Sequence, residues 1–136
     1  MIVVDTNIIA YLYLSGEKTQ FSEQALSKDM EWVAPILWRS EFRNILAYYT
    51  RNQKLALENS LKMMIEAEAL MNGGEYDIAS TQVLSLAASS GCSAYDCEFV
   101  ALALDLKVPL VTSDRKLLKA FRGIALSLEE FVSLND

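Results

Sequence analysis

Short runs of apolar residues alternate along this chain with longer stretches in which apolar positions recur every three or four residues. Ile2-Val3-Val4 is continuous, β-branched and ended by Asp5-Thr6-Asn7, the pattern of a strand buried on both faces that stops at polar residues. Trp32-Val33-Ala34 predicts a second strand, and Pro35 is then expected in the first turn of a helix running to about Arg51. Leu110-Val111-Thr112, leading to Ser113-Asp114, predicts a third. Gly123-Ile124-Ala125-Leu126 predicts a fourth, before a last helix that Ser127 and Glu130 open as a capping box. Helical periodicity covers about 7–14, 20–28, 54–71, 77–89 and 94–106, with breaks at Asn72-Gly73-Gly74 and Ser89-Ser90-Gly91. Short apolar strands alternating with helices predict an α/β fold of three layers, a short, mostly parallel central sheet flanked by helices. No repeat, linker or low-complexity tract divides the chain, so 1–136 reads as one domain.

Composition narrows the chemistry. Twelve Lys and Arg against eighteen Asp and Glu leave a formal charge of −6, which excludes a basic nucleic-acid coat. With 52% hydrophobic residues the chain is no disordered tail. There is no His, which removes Ser-His-Asp and Cys-His catalysis and every His-ligated metal site. Carboxylates, hydroxyls, Lys, Arg and Cys remain. Cys92 and Cys97 are too few for a disulfide scaffold or a structural zinc site, and are expected as a buried, reduced pair. The apolar segment Ile2–Leu14 has no Lys or Arg ahead of it and is interrupted by Asp5 and Asn7. It is therefore neither a signal peptide nor a membrane span, and the expectation is a cytoplasmic protein without membrane association.

Four acids stand out by position. In an open parallel sheet the functional crevice lies beyond the carboxyl ends of the strands, and Asp5 and Asp114 each follow a predicted strand. Both also suit the N-caps of the helices after them. In the helix 94–106, Tyr95, Phe99, Leu102 and Leu106 form one apolar stripe and Cys97, Ala101 and Leu104 another. Glu98 and Asp105 mark the solvent side, and Asp96 lies about 200° around from Glu98, facing inward at the helix start. Ser93 three residues earlier also makes Asp96 part of a capping-box-like sequence. Glu41 shares a stripe with Trp38, Ile45 and Tyr48, where it needs a partner; a distant Lys or Arg would serve. If all four converge, repulsion of roughly 4 kcal/mol per pair at about 4 Å and an effective dielectric near 20 requires protons or cations. With oxygen ligands only, a hard divalent ion, Mg²⁺ or Mn²⁺, resolves the conflict.

These segments taken together resemble the successive motifs of the PIN-domain nucleases: Met1-Ile2-Val3-Val4-Asp5-Thr6-Asn7, Glu41 within a helix after a short strand, Ala94-Tyr95-Asp96 continued by Ala101-Leu102-Ala103, and Leu110-Val111-Thr112-Ser113-Asp114. The nearest subgroup is the VapC-type toxins of toxin–antitoxin pairs, and the resemblance spans essentially the whole chain. It implies a PIN-like three-layer fold and hydrolysis of RNA phosphodiester bonds. Asp5, Glu41, Asp96 and Asp114 would correspond to the acidic quartet that binds Mg²⁺ or Mn²⁺. Thr6, Asn7 and Thr112 fall where polar groups orient carboxylates or bound water, although turn formation and helix capping account for them equally. The sequence departs from the pattern at Cys97-Glu98-Phe99 and in its acidic balance. The family also implies a homodimer and an inhibitory antitoxin, for which Tyr11–Leu14 beside Asp5 offers apolar contact.

Arg39, Arg43, Arg51 and Lys54 surround the helix of Glu41, and Arg115 and Lys116 follow Asp114. Either group would suit RNA phosphates, or serve as solvated surface charge. The main rival is a PIN-like protein-interaction module that catalyses nothing. An aspartate-nucleophile phosphatase would want a second Asp where Asn7 stands, and a receiver domain a phosphoacceptor Asp near Trp32–Ala34, which is missing.

Overall fold

The computed structural model describes residues 1–135. Its five strands are β1 (Ile2–Val4), β2 (Trp32–Pro35), β3 (Glu75–Tyr76), β4 (Leu110–Val111) and β5 (Ala125–Leu126). They form one sheet in the order β3-β2-β1-β4-β5, every pairing parallel. Eight helices connect and cover them: α1 (Thr6–Tyr13), α2 (Thr19–Lys28), α3 (Trp38–Arg51), α4 (Leu57–Met71), α5 (Ser80–Ser90), α6 (Ala94–Leu106), α7 (Arg115–Ala120) and α8 (Leu128–Ser133).

Successive strand residues point to opposite faces, and Ile2, Val3 and Val4 are all buried. The central strand therefore needs helices on both sides, which is the expected three-layer arrangement. One cover is α6, packed across β1, β2 and β4 and backed by α5; α1, α3 and α4 form a second group that reaches β2 through α4. Trp38 and Phe42 of α3, Phe99 of α6 and Leu117 of α7 are fully buried in the core. No described helix is long and apolar enough to cross a membrane. Cys92 and Cys97 are buried and free.

Three details differ from the sequence expectation. Pro35 ends β2 instead of opening α3, which starts at Trp38. Ala34 and Ile36 donate to Gly74 and Tyr76 on the β3 side, so alternation puts the missing N–H of Pro35 on the β1 side, beyond the last β1–β2 pair, Val3 with Val33, where the ladder stops. The strand β3 carries no apolar run and was not expected. It forms because Gly74 lets it approach β2: a Cβ there would lie 2.5 Å from the Trp32 carbonyl oxygen. On α6, Tyr95 (64% exposed) and Leu104 (39%) leave their expected apolar stripes, while Val100 and Ala103 are buried in their place. A helix lying across three strands buries a wider arc than two narrow stripes describe.

Chain order runs outward from β1 through β2 to β3, then returns to the other side of β1 for β4 and β5. The strand order thus reverses between β1 and β4, and a crevice opens beyond their carboxyl ends.

Candidate active site

At that reversal point Asp5 leaves β1 as the N-cap of α1, only 7% exposed. Its Oδ1 accepts the Thr6 backbone N–H at 2.8 Å and its Oδ2 accepts the Thr112 hydroxyl at 2.7 Å. The Thr112 oxygen in turn accepts the backbone N–H of Asp114 at 3.0 Å, and Asp114 caps α7 by accepting from Leu117 N–H at 3.0 Å. On the other flank the Thr6 hydroxyl donates to Glu41 Oε1 at 2.6 Å. One hydrogen-bonded chain therefore runs from Asp114 through Thr112, Asp5 and Thr6 to Glu41, linking residues 5, 41 and 114 through four hydrogen bonds. Glu41 finds its partner in this threonine, not in a Lys or Arg.

Asp96 enters from α6, whose N-cap Ser93 accepts the Asp96 backbone N–H at 3.0 Å. It lines a cleft of ≈ 240 Å³ together with Asp5, Thr6, Glu41, Asn44 and Asp114, with Asn7 at the exposed mouth. All four sequence-selected acids thus share one depression. Among the described residues, however, no three Asp, Glu or Cys side chains close on a single point tightly enough to ligate an ion as they stand.

The electrostatics reflect the crowding. Burial pushes Asp5 up to about 6, against the pull of its Thr112 and Thr6 hydrogen bonds, and the charges of Glu41 and Asp96 add to the rise. Glu41 is also raised by burial, with Thr6 opposing and Asp96 adding. Burial and the charge of Asp114 raise Asp96, while Ser93 and Lys116 lower it. Groups that hold protons too strongly for want of a counter-charge, and that offer only oxygen, suit a hard divalent cation in kind.

Lys116 reaches this region: its Nζ donates to the Gly91 carbonyl at 2.7 Å, tying α7 to the loop before α6. Arg115 is exposed beside it. Arg43 instead lines an apolar groove between α3 and α4. Arg39 is committed elsewhere. Its Nε and guanidinium NH₂ grip Glu75 at 2.6 and 2.8 Å and a third nitrogen holds Glu68 at 2.8 Å, so the expectation of a phosphate-binding residue meets a fork already filled by carboxylates.

Two residues escaped the sequence reading. Asn44 lines the cleft three positions after Glu41 on α3, a spacing that shares a helix face and was legible. Glu98, expected on the solvent side, is half-buried, and burial plus the charge of Glu41 raise its affinity for a proton. Its seven-residue spacing to Asp105 suggested a common polar face, but around Glu98 that face is partly covered by α5 and by the turn after β2.

Comparison with known proteins agrees with this geometry. The family model described as "PIN domain" matches residues 2–122. Ribonuclease VapC3 of Pyrobaculum aerophilum is 30% identical over 126 residues, covering 90% of this chain and 96% of that protein. The crystal structure of PAE2754 from Pyrobaculum aerophilum superposes with a TM-score of 0.78 at 19% identity, over 96% of this chain and 92% of the other. A toxin–antitoxin complex from Klebsiella pneumoniae (TM-score 0.68, 16% identity, 94% and 98% covered) and FitAcB from Neisseria gonorrhoeae (0.71, 18%, 95% and 99%) share the same fold. With the acids at one sheet edge and the match running over nearly the entire length, this chain belongs to the PIN domain family.

Proposed function

We propose that the chain is a metal-dependent endoribonuclease, the toxin of a VapBC-type toxin–antitoxin pair. The observation that carries this reading is the hydrogen-bonded chain from Asp114 to Glu41, which holds acids from distant parts of the sequence at one cleft that no Lys or Arg lines. The name of the Pyrobaculum relative supports ribonuclease activity, and the Klebsiella complex supports an antitoxin partner.

In this reading Asp5, Glu41, Asp96 and Asp114 would hold Mg²⁺ or Mn²⁺. Such an ion, when bound, makes a nucleophile of water near neutral pH and offsets charge on the phosphate. The chain's own residues prepare the site. Thr112 and the Thr6 amide fix both oxygens of Asp5, and the Thr6 hydroxyl fixes Glu41. Asn7 lies at the mouth, where substrate enters, and Lys116 with Arg115 offers cations to the RNA backbone. A homodimer in the cytoplasm, silenced by its antitoxin, completes the proposal.

One observation favours the rival, a PIN-like interaction module without catalysis: the acids do not converge to coordination distance as they stand. Incubating the purified chain with RNA in Mg²⁺, Mn²⁺ or EDTA separates the two. Metal-dependent cutting that is lost in Asp5→Asn and Asp96→Asn, with the fold retained by circular dichroism, supports the nuclease. Intact RNA in every buffer supports the module.

A further inference from the structure

Beside the acidic cleft, at the same edge of the sheet, lies a second depression of ≈ 360 Å³. Ile36, directly after β2, and Val83 and Leu84 of α5 give it apolar walls, while Asp77 and Glu98 supply carboxylates. Ala94 and Glu98 stand one turn apart on α6, and Glu98 lies close enough to Glu41 of the cleft to feel its charge, so the two hollows are neighbours. Ile36 (44%) and Leu84 (64%) are among the large apolar side chains left exposed.

Glu98 is the anomaly. It is half-buried, yet among the described residues no hydrogen bond or ion pair reaches its carboxylate. Both oxygens of this carboxylate are thus free to accept, and an occupant with N–H donors would take the place of the water that otherwise solvates them. No Lys or Arg lines the depression. Phosphate is therefore repelled, and a flat group that sets its faces against aliphatic walls and its donors against a carboxylate is favoured.

The donor pattern selects among the RNA bases. An ionised carboxylate only accepts. Guanine alone carries two adjacent donors, N1–H and the N2 amino group, on its Watson–Crick edge. Adenine and cytosine set one amino donor beside a ring acceptor, and uracil sets its N3–H between two carbonyls, so an acceptor of each would confront the carboxylate's second oxygen. Unstacked bases read on this edge are the usual mode of single-stranded RNA recognition.

We propose that this depression is a guanine subsite, in which Ile36 and Leu84 pack against the base and Glu98 accepts its two Watson–Crick donors, setting where the RNA is cut. The inference rests on the ribonuclease reading and names the substrate feature that reading leaves open.

The test is cleavage of a randomised single-stranded RNA pool in Mn²⁺, with the new ends sequenced. Guanine is expected at one fixed position relative to the cut, favoured about tenfold over the other bases, the discrimination one bidentate pair supplies. Placing inosine there, which keeps N1–H and lacks the amino group, is expected to slow cutting several-fold, and Glu98→Gln to collapse the guanine-to-inosine ratio towards one. Cutting without a fixed guanine position, or a guanine-to-inosine ratio unchanged in Glu98→Gln, overturns the subsite and leaves the nuclease standing. Failure to cut any RNA overturns both. The inosine comparison needs no variant, so a misfolded Glu98→Gln would not blunt the test.

Discussion

Thr112 joins Asp5 to Asp114 through a single oxygen, which donates to the Asp5 carboxylate at 2.7 Å and accepts the Asp114 amide at 3.0 Å. The two strands that carry these residues, β1 and β4, are neighbours in the sheet but lie over a hundred residues apart in the chain. This hydroxyl is fully buried, so no water replaces it. Replacing Thr112 with Val keeps the shape, strips one donor from a buried carboxylate and orphans the Asp114 N–H. Urea unfolding should show a loss of about 1–3 kcal/mol, and any metal-dependent activity should need a higher metal concentration. Thr112→Ser, which keeps the oxygen, should recover most of both.

Asp5 makes stability depend on pH in an unusual direction. Its folded value, about 6, lies above the ordinary 3.8, so between these the folded chain binds more protons than the unfolded one. Stability then falls as pH rises through this window. The ionised form costs on the order of 3 kcal/mol relative to an unperturbed Asp. In EDTA at pH 8, Asp5→Asn should therefore melt at a higher temperature than the parent, with the difference vanishing near pH 4. Comparing the two proteins isolates Asp5 from the carboxylates of Asp29, Glu75 and Glu129, which partner positive groups and shift the other way. Millimolar Mg²⁺ should raise the melting temperature of the parent at pH 8 and leave Asp5→Asn nearly unmoved. Equal responses of the two proteins would remove Asp5 from the list of ligands.

Arg39 illustrates a charge that serves the fold. Its guanidinium holds Glu75 against the Trp38 indole N–H, which donates to the same carboxylate at 2.8 Å. The fork anchors the start of α3 to the edge strand β3. Arg39→Ala should lower stability by about 1 kcal/mol, the discount for partial exposure included. If the chain binds RNA as proposed, the salt dependence of that binding should not change, whereas Lys116→Ala should reduce its slope by about one charge.

Gly74 tests how β3 is held. Gly74→Ala drives a methyl group against the Trp32 carbonyl oxygen, backbone against which nothing flexible can yield. A loss of about 1–3 kcal/mol is expected from overpacking, read by thermal melting. Amide exchange should speed first at Ala34 and Ile36, whose N–H groups donate to β3.

Much of this was legible in the residues. Ile2-Val3-Val4 announces a strand covered on both faces, and the polar residues after it mark where the sheet opens. The four acids were found by asking which carboxylates stand where apolar side chains or strand ends should be, and all four line the same cleft. Local pattern failed where a partner far along the chain decides the outcome. β3 exists because a glycine clears a carbonyl on another strand, and Pro35 is tolerated in β2 because it lies beyond the last β1–β2 pair. Glu98 was assigned to solvent from the spacing on its own helix, yet what surrounds it comes from α5 and the turn after β2. The fork of Arg39 belongs to the same class: its two carboxylates lie 29 and 36 residues away, beyond any local count.

The strand that leads to Asp5 precedes the other four in the chain, yet it occupies the middle of the sheet. Its two flanking strands follow at 32–35 and 110–111, and the hydroxyl that steadies its terminal carboxylate arrives only after the second. An emerging chain thus carries Asp5 with nowhere to seat it until β4 and Thr112 have followed. A product that stopped short of Thr112 and Asp114 would leave the Asp5 carboxylate without its buried donor and the cleft without one of its walls.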